Sequence, residues 1–250
     1  MNPMNDVPEP GLPFIAHLTE LRDRILRTLL VLGILFVGLS FFANELYAYL
    51  AVPLLQQMPK GSSMIAIDVA SPFFAPFKLA GFMALLLGLP YVFHQAWAFV
   101  APGLYRHEKR LVFPLILSSI ILFYTGIAFA YFLVFPVMFG FFAAVAPQGV
   151  AVQTDISRYL DFVLGMFFAF GAAFEVPVLT VLLVWSGIVT RAWLAEKRSY
   201  IIVLSFVIGM ILTPPDVVSQ TLLAVPIWLL FELGLQFARL VENRSPDAHP

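Results

Sequence analysis

Few side chains in this sequence are equipped for chemistry, and three carboxylates stand out among them. Glu20 lies in His17-Leu-Thr-Glu-Leu-Arg-Asp-Arg-Ile-Leu-Arg27, and Glu108 in Ala101-Pro-Gly-Leu-Tyr-Arg-His-Glu-Lys-Arg110. They fall on different elements, both in a basic setting. Each has a local reading, in which Glu20 pairs with Arg24 one helical turn on and Glu108 is neutralised by Arg106 or Lys109. Spacing favours that reading without deciding against a binding site. Glu175 is different: it stands inside the uncharged run Phe-Gly-Ala-Ala-Phe-Glu-Val-Pro-Val. A charge at bilayer depth costs ~2.5–3.5 kcal/mol on insertion scales, so this carboxyl must face protein or water. It is either a structural group bonded to a neighbouring helix or part of a functional site, and Pro177 loosens the backbone beside it.

Other chemistries lack their residues. There is no cysteine, which removes disulfides, thiol catalysis and thiolate metal sites. No G-x-x-x-x-G-K-[ST] loop or H-E-x-x-H pair occurs, and the four histidines show no ligand-like pairing. Ser186 before Gly187 hints at an intramembrane serine protease, but it falls at a span end with no histidine in a neighbouring segment. A non-enzymatic protein without metal or cofactor is expected. With a net charge of −1, nothing points to nucleic acid.

The elements that must position these groups are membrane helices. Charged residues make up 12% of the 250 against roughly 25% in a soluble domain, and mean hydropathy is +0.92. Leu18, Leu21, Ile25 and Leu29 form an apolar stripe opposite Glu20, Asp23, Arg24 and Arg27, so the chain lies along the lipid boundary and then enters it. The first span runs from Ile25 to about Ala43, followed by an outer loop over 44–71 with at most one amphipathic turn. The second covers about Ser71 to Val100, with bends expected at Pro76 and Pro90 and with Lys78 snorkelling near its outer end. The apolar run Leu111–Ala146 reads as one long span to about Pro136 with a tilted remainder, and the fourth span as Tyr159 to Trp185.

Two short segments follow, Ser199–Thr213 and the 15 residues between Asp216 and Glu232. Fifteen helical residues reach only ~22 Å, less than the ~30 Å hydrocarbon core. Of 14 Lys and Arg, all but Lys60, Lys78 and Arg158 fall on the inner side. That bias predicts an all-α integral membrane protein with six transmembrane helices, the last two short, and both termini cytoplasmic. The chain reads as a single domain over 1–250, with 1–16 and 240–250 flexible. No cleavable signal peptide is expected, because the first apolar run follows an acidic, proline-rich start and is too long.

The motifs then carry a resemblance. His17-Leu-Thr-Glu-Leu-Arg-Asp-Arg24, Ser71-Pro-Phe-Phe, Trp97-Ala-Phe-Val-Ala-Pro-Gly-Leu-Tyr-Arg-His-Glu-Lys-Arg110, Phe123-Tyr-Thr-Gly, Phe174-Glu-Val-Pro177 and Leu212-Thr-Pro-Pro-Asp216 resemble, in order, blocks of the TatC family. Members are the multi-spanning subunits of the twin-arginine protein translocase. The resemblance implies a concave, glove-like bundle in the bacterial inner (cytoplasmic) membrane. It implies a receptor for the twin-arginine signal peptides of folded precursors, assembling with the single-span subunits TatB and TatA and with further copies of itself. Transport would be driven by the proton-motive force.

It further implies that Glu20 and Glu108 receive the signal arginines, with Leu21, Arg22, Phe99 and Tyr105 lining the patch. Two carboxylates on separate elements suit two guanidinium forks, a geometry lysine cannot copy. Glu175 becomes a polar point of the concave face. Met210, Thr213 and Gln220, near the outer turn of the last two spans, become a docking edge for a partner helix. Asp216 either caps the last helix or acts directly. A small secondary transporter, with Glu175 as proton relay, is the rival class, but the two halves show no internal repeat.

Overall fold

The computed structural model describes residues 12–56, 64–100, 109–145, 153–212 and 216–242. Ten α-helices are found among them: α1 (Leu12–Ser40), α2 (Ala43–Leu55), α3 (Ser71–Val100), α4 (Lys109–Phe129), α5 (Phe135–Val145), α6 (Ile156–Phe174), α7 (Val176–Trp185), α8 (Arg191–Glu196), α9 (Arg198–Leu212) and α10 (Val217–Glu242). A π-helical turn, Ala130–Val134, joins α4 to α5. The described residues contain no strand, only an isolated bridge between Ile65 and Asp155. α1 and α10 reach into the expected terminal segments, whose other residues lie outside the described ones.

Four helical runs are long and apolar enough to cross a membrane: Ser71–Phe99, Phe113–Val145, Ile156–Trp185 and Val217–Arg239. A fifth arises if α1 and α2, bent by 82° at Phe41-Phe42, count as one broken span. α9 is a shorter apolar helix of 15 residues, as its sequence predicts. α10 corrects the expectation of a short last helix: it has 26 residues. Glu232 does not end it, because Arg198 of α9 forks onto that carboxylate with Nε and Nη2 at 2.6 and 3.0 Å.

Residues 44–55 also correct the expected loop. Ala43, Tyr47, Leu50, Ala51 and Leu54 are buried, a three- and four-residue spacing that is a helical face. α2 therefore packs on the bundle rather than dangling, and Tyr47 donates to the Ile156 carbonyl at 3.0 Å. Tyr159 answers from α6, donating to the Leu50 carbonyl at 2.7 Å.

The core sits between α2, α3, α5 and α6, and aromatic rings fill its centre. Phe135 lies 5.3 Å from Phe167 and 5.6 Å from Phe139, and Phe139 lies 5.8 Å from Tyr159, centroid to centroid. These separations suit tilted ring pairs. α4 meets α6 closely enough that a Cβ at Gly126 would stand 2.5 Å from the Phe170 carbonyl oxygen. α10 meets α7 in the same way, where a Cβ at Gly234 would come within 2.9 Å of Pro177 Cα. Small residues let membrane helices approach to dispersion contact, which replaces the hydrophobic effect inside lipid.

The prolines at 76, 90 and 136 are absorbed rather than producing breaks. α3 runs unbroken through Pro76 and Pro90. Pro136, expected to bend the third span, follows the π-helical turn, whose wider winding lets the Phe135 N–H reach back to the Ala130 carbonyl. Lys78 does more than snorkel: its ammonium pairs with Asp161 of α6.

Candidate functional site

Glu20 is set on α1 by its own helix and by α3. Arg24 lies one turn further and donates Nε and Nη2 to the same oxygen, Oε1, at 2.9 and 2.6 Å. Its remaining nitrogen, Nη1, donates to Gln95 Oε1 of α3 at 3.0 Å. Gln95 therefore fixes Arg24, and Arg24 fixes one edge of the carboxylate. Among the described residues the other oxygen, Oε2, meets only His17 Nδ1, at 3.9 Å. The Glu20 side chain is 37% exposed.

His17 ties the same region together a second time. Its ring stacks on Phe99 of α3 with centroids 4.1 Å apart and planes 16° from parallel. The start of α1 and the end of α3 thus form one surface, with Glu20, Leu21 and Phe99 upon it. Leu21 is half-buried. Arg22 turns outward and pairs with the adjacent Asp23 at 2.8 Å, its side chain 68% exposed. Glu108, Tyr105 and Thr213 lie outside the described residues. The local pairing of Glu20 with Arg24 follows the helical spacing, but Gln95 was not legible as a site residue. Its one signal is being a polar group, beside His94, near the end of an apolar helix.

Glu175 stands apart, at the junction of α6 and α7. Pro177 has no N–H to continue the ladder, so the helix breaks here, with Glu175 capping both pieces. The Ser119 hydroxyl of α4 lies beside its carboxylate. Its Oε1 is shielded from solvent and has no hydrogen-bond partner among the described residues. An orphaned acceptor at such depth is unfavourable unless a partner or water meets it.

A third locality joins α9 and α10. Gln220 packs across Gly209, and Met210 beside it is 56% exposed. Asp216 caps α10, its Oδ1 accepting from the Ser219 N–H at 2.7 Å. Ser186, the residue that hinted at protease chemistry, donates its hydroxyl to the Leu183 carbonyl.

The chain as a whole can be set beside known proteins. The family description "Sec-independent protein translocase protein (TatC)" matches residues 16–226. A TatC protein from Azotobacter chroococcum mcd 1 is 58% identical over 240 residues, covering 96% of this chain and 94% of that one. The TatC protein of Escherichia coli (strain K12) is 55% identical over 233 residues, covering 93% and 90%. A crystal structure of a twin-arginine translocase receptor, TatC, superposes with a TM-score of 0.78 at 35% identity, covering 90% of this chain and 99% of that chain. On these grounds the chain belongs to the TatC family of Sec-independent protein translocase proteins.

Proposed function

We propose that this TatC-family membrane protein is the receptor subunit of a twin-arginine translocase and reads the two signal arginines with Glu20 and Glu108. The observation that carries the reading is the lopsided coordination of Glu20. Among the described residues Arg24 occupies Oε1 with two bonds while Oε2 keeps only a distant His17 contact. A carboxylate held on one edge and open on the other is prepared for an incoming guanidinium, which bonds it at short range and with fixed orientation. Leu21, Arg22, Phe99 and Tyr105 line the same surface in this reading, and the apolar part of the signal runs into the membrane beside it.

The protein sits in the inner (cytoplasmic) membrane with six spans and both termini on the cytoplasmic side. It catalyses no reaction itself and couples to the proton-motive force through its assembly. Single-span partners of the TatB and TatA type dock on the edge formed by Met210, Thr213 and Gln220, and further copies of the chain complete the complex. The unmatched Oε1 of Glu175 supports a role as the polar point that such a helix or the inserted signal would satisfy.

The test is binding of a twin-arginine signal peptide to the purified, detergent-solubilised protein, beside a twin-lysine peptide and Glu20→Ala and Glu108→Ala variants. Truncating one partner of a hydrogen-bonded charge pair costs ~2–5 kcal/mol, so each variant loses at least about thirtyfold in affinity. Equal binding by all peptides and variants would sink the reading.

A further inference from the structure

The sequence Arg191-Ala-Trp-Leu-Ala-Glu-Lys-Arg198 brings two arginines to one end of α9, and α10 adds Glu232, Gln236 and Arg239. Positions 232, 236 and 239 are four and three apart and fall on one helical face. That face and the α8–α9 corner enclose a cavity of about 730 Å³ lined by Arg191, Arg198, Glu232, Gln236, Phe237 and Arg239. Among the described residues three guanidinium groups therefore line a space with a single carboxylate, and Arg198 already occupies it with both arms of its fork. Arg191 and Arg239 form no ion pair among the described residues. The Nε of Arg191 is shielded from solvent and meets no acceptor among them. An unmet donor at a cluster of like charges is a strained arrangement that an anion relieves.

The surroundings point to the kind of anion. Trp193 is 49% exposed and Tyr200 70% exposed, with the Lys197 ammonium 5.7 and 5.4 Å from their ring centroids. Exposed Trp and Tyr interleaved with basic residues mark the level of a membrane–water interface. Phe237, 53% exposed, adds an apolar rim to the same cavity. A basic pocket between helices on the cytoplasmic side, with apolar side chains at its lip, has the composition that receives an anionic lipid headgroup.

We infer that the cavity between the α8–α9 corner and α10 is a binding site for the phosphodiester headgroup of an anionic phospholipid of the inner leaflet. Arg191 and Arg239 contact the phosphate. Arg198, locked to Glu232, holds the two helices at the spacing the headgroup needs. The site uses none of the residues assigned to signal recognition, so the two readings stand or fall separately.

The experiment is native mass spectrometry of the full-length protein in detergent, titrated with phosphatidylglycerol, phosphatidylcholine or glycerol phosphate. Phosphatidylglycerol is expected to be retained in preference to phosphatidylcholine, and the preference to fade at high ionic strength. The R191Q/R239Q variant is expected to bind phosphatidylglycerol roughly twenty-five-fold more weakly, about fivefold for each arginine. Arg158→Gln, at the other membrane face, leaves binding unchanged, and R191K/R239K restores part of the affinity. Equal retention of both lipids by the unaltered protein overturns the proposal and needs no variant to fold. So does a folded R191Q/R239Q protein that binds phosphatidylglycerol normally. Full displacement of the lipid by equimolar glycerol phosphate, or by an acidic peptide, would assign the pocket to a soluble anion or a protein segment instead.

Discussion

The Tyr124 hydroxyl of α4 donates to the Leu86 carbonyl of α3 at 2.5 Å, and Leu86 is the residue whose carbonyl Pro90 leaves without its helical N–H. The same device recurs in α2, where Pro53 frees the Tyr49 carbonyl and Tyr131 donates to it at 3.0 Å. In hydrocarbon a freed carbonyl has no water to turn to, so a helix tolerates proline where a neighbour re-satisfies the backbone. Each tyrosine thereby records which helix lies beside the proline.

The coupling is measurable. Tyr124→Phe is expected to lower stability by about 0.5–2 kcal/mol, the range for a lost interhelical bond to a shielded acceptor. In a Pro90→Ala background the carbonyl regains its own helical donor, so the same substitution should then cost much less. Thermal unfolding of the four proteins in detergent closes the double-mutant cycle. Additive effects would show that the tyrosine is not serving the proline's carbonyl.

Close helix approach gives a second expectation. Gly126→Val places atoms against the Phe170 carbonyl, where even a Cβ would be 2.5 Å away. It should destabilise by ~2 kcal/mol or more, as overpacking does. Gly33 on α1 has nothing within 4 Å of an added Cβ, and Gly33→Ala should be neutral or stabilising by up to ~1 kcal/mol. Similar shifts in unfolding temperature for both would mean that α4 and α6 do not meet at Gly126.

The cap of α6 carries a pH dependence. Asp155 accepts from the N–H of Ile67 and from those of Ser157 and Arg158. These bonds, the Ile67 one foremost, hold its carboxyl below the ordinary 3.8. A depressed folded value means that ionised Asp155 stabilises the cap above about pH 4 and that this contribution is lost as pH falls through the folded value. Unfolding temperature should drop on acidification below pH 4, and Asp155→Asn, still able to cap α6, should drop less. Identical acid profiles would place the sensitive group elsewhere.

In the proposed reading, signal recognition depends on a residue that spacing did not reveal. Gln95→Leu removes the acceptor for Arg24 Nη1 and frees the guanidinium that orients Glu20. The loss of one charge-assisted bond is worth ~1.5 kcal/mol, so twin-arginine peptide affinity should fall roughly tenfold. Helix content by circular dichroism should stay unchanged. Unaltered affinity would mean that Glu20 orients itself.

These residues also show how much was legible beforehand. The local Glu20–Arg24 pair follows from helical spacing, and the loosened backbone beside Glu175 follows from Pro177. Failures came where partners are distant or where one residue masked a pattern. Pro53 and the polar Asn44-Glu45 obscured the buried face Tyr47, Leu50, Ala51 and Leu54, although its helical period was there to read. Glu232 looked like the end of a span because its partner, Arg198, lies 34 positions earlier. No spacing rule announces the bonds from Tyr124 and Tyr131, since each joins helices that only the packed bundle brings together. Glu108, Tyr105 and Thr213 still rest on the motifs alone.

The short α9 decides the topology. At 15 residues it reaches ~22 Å against a ~30 Å core, so it either crosses where the bilayer thins or turns back within it. The chain has no cysteine, so single cysteines introduced at Trp193 and Met210, exposed at opposite ends of the α8–α9 segment, need no prior substitution. A membrane-impermeant maleimide added from outside is expected to label Met210→Cys and spare Trp193→Cys, with the reverse in inverted vesicles. That outcome makes α9 a complete span and puts Met210 on the outer side, where a partner helix entering from the lipid would meet it. Labelling of both from one side would make α9 re-entrant and reduce the count to five spans. The positive-inside assignment of the C-terminal tail would then have to be reversed, because an odd number of crossings leaves the two termini on opposite faces.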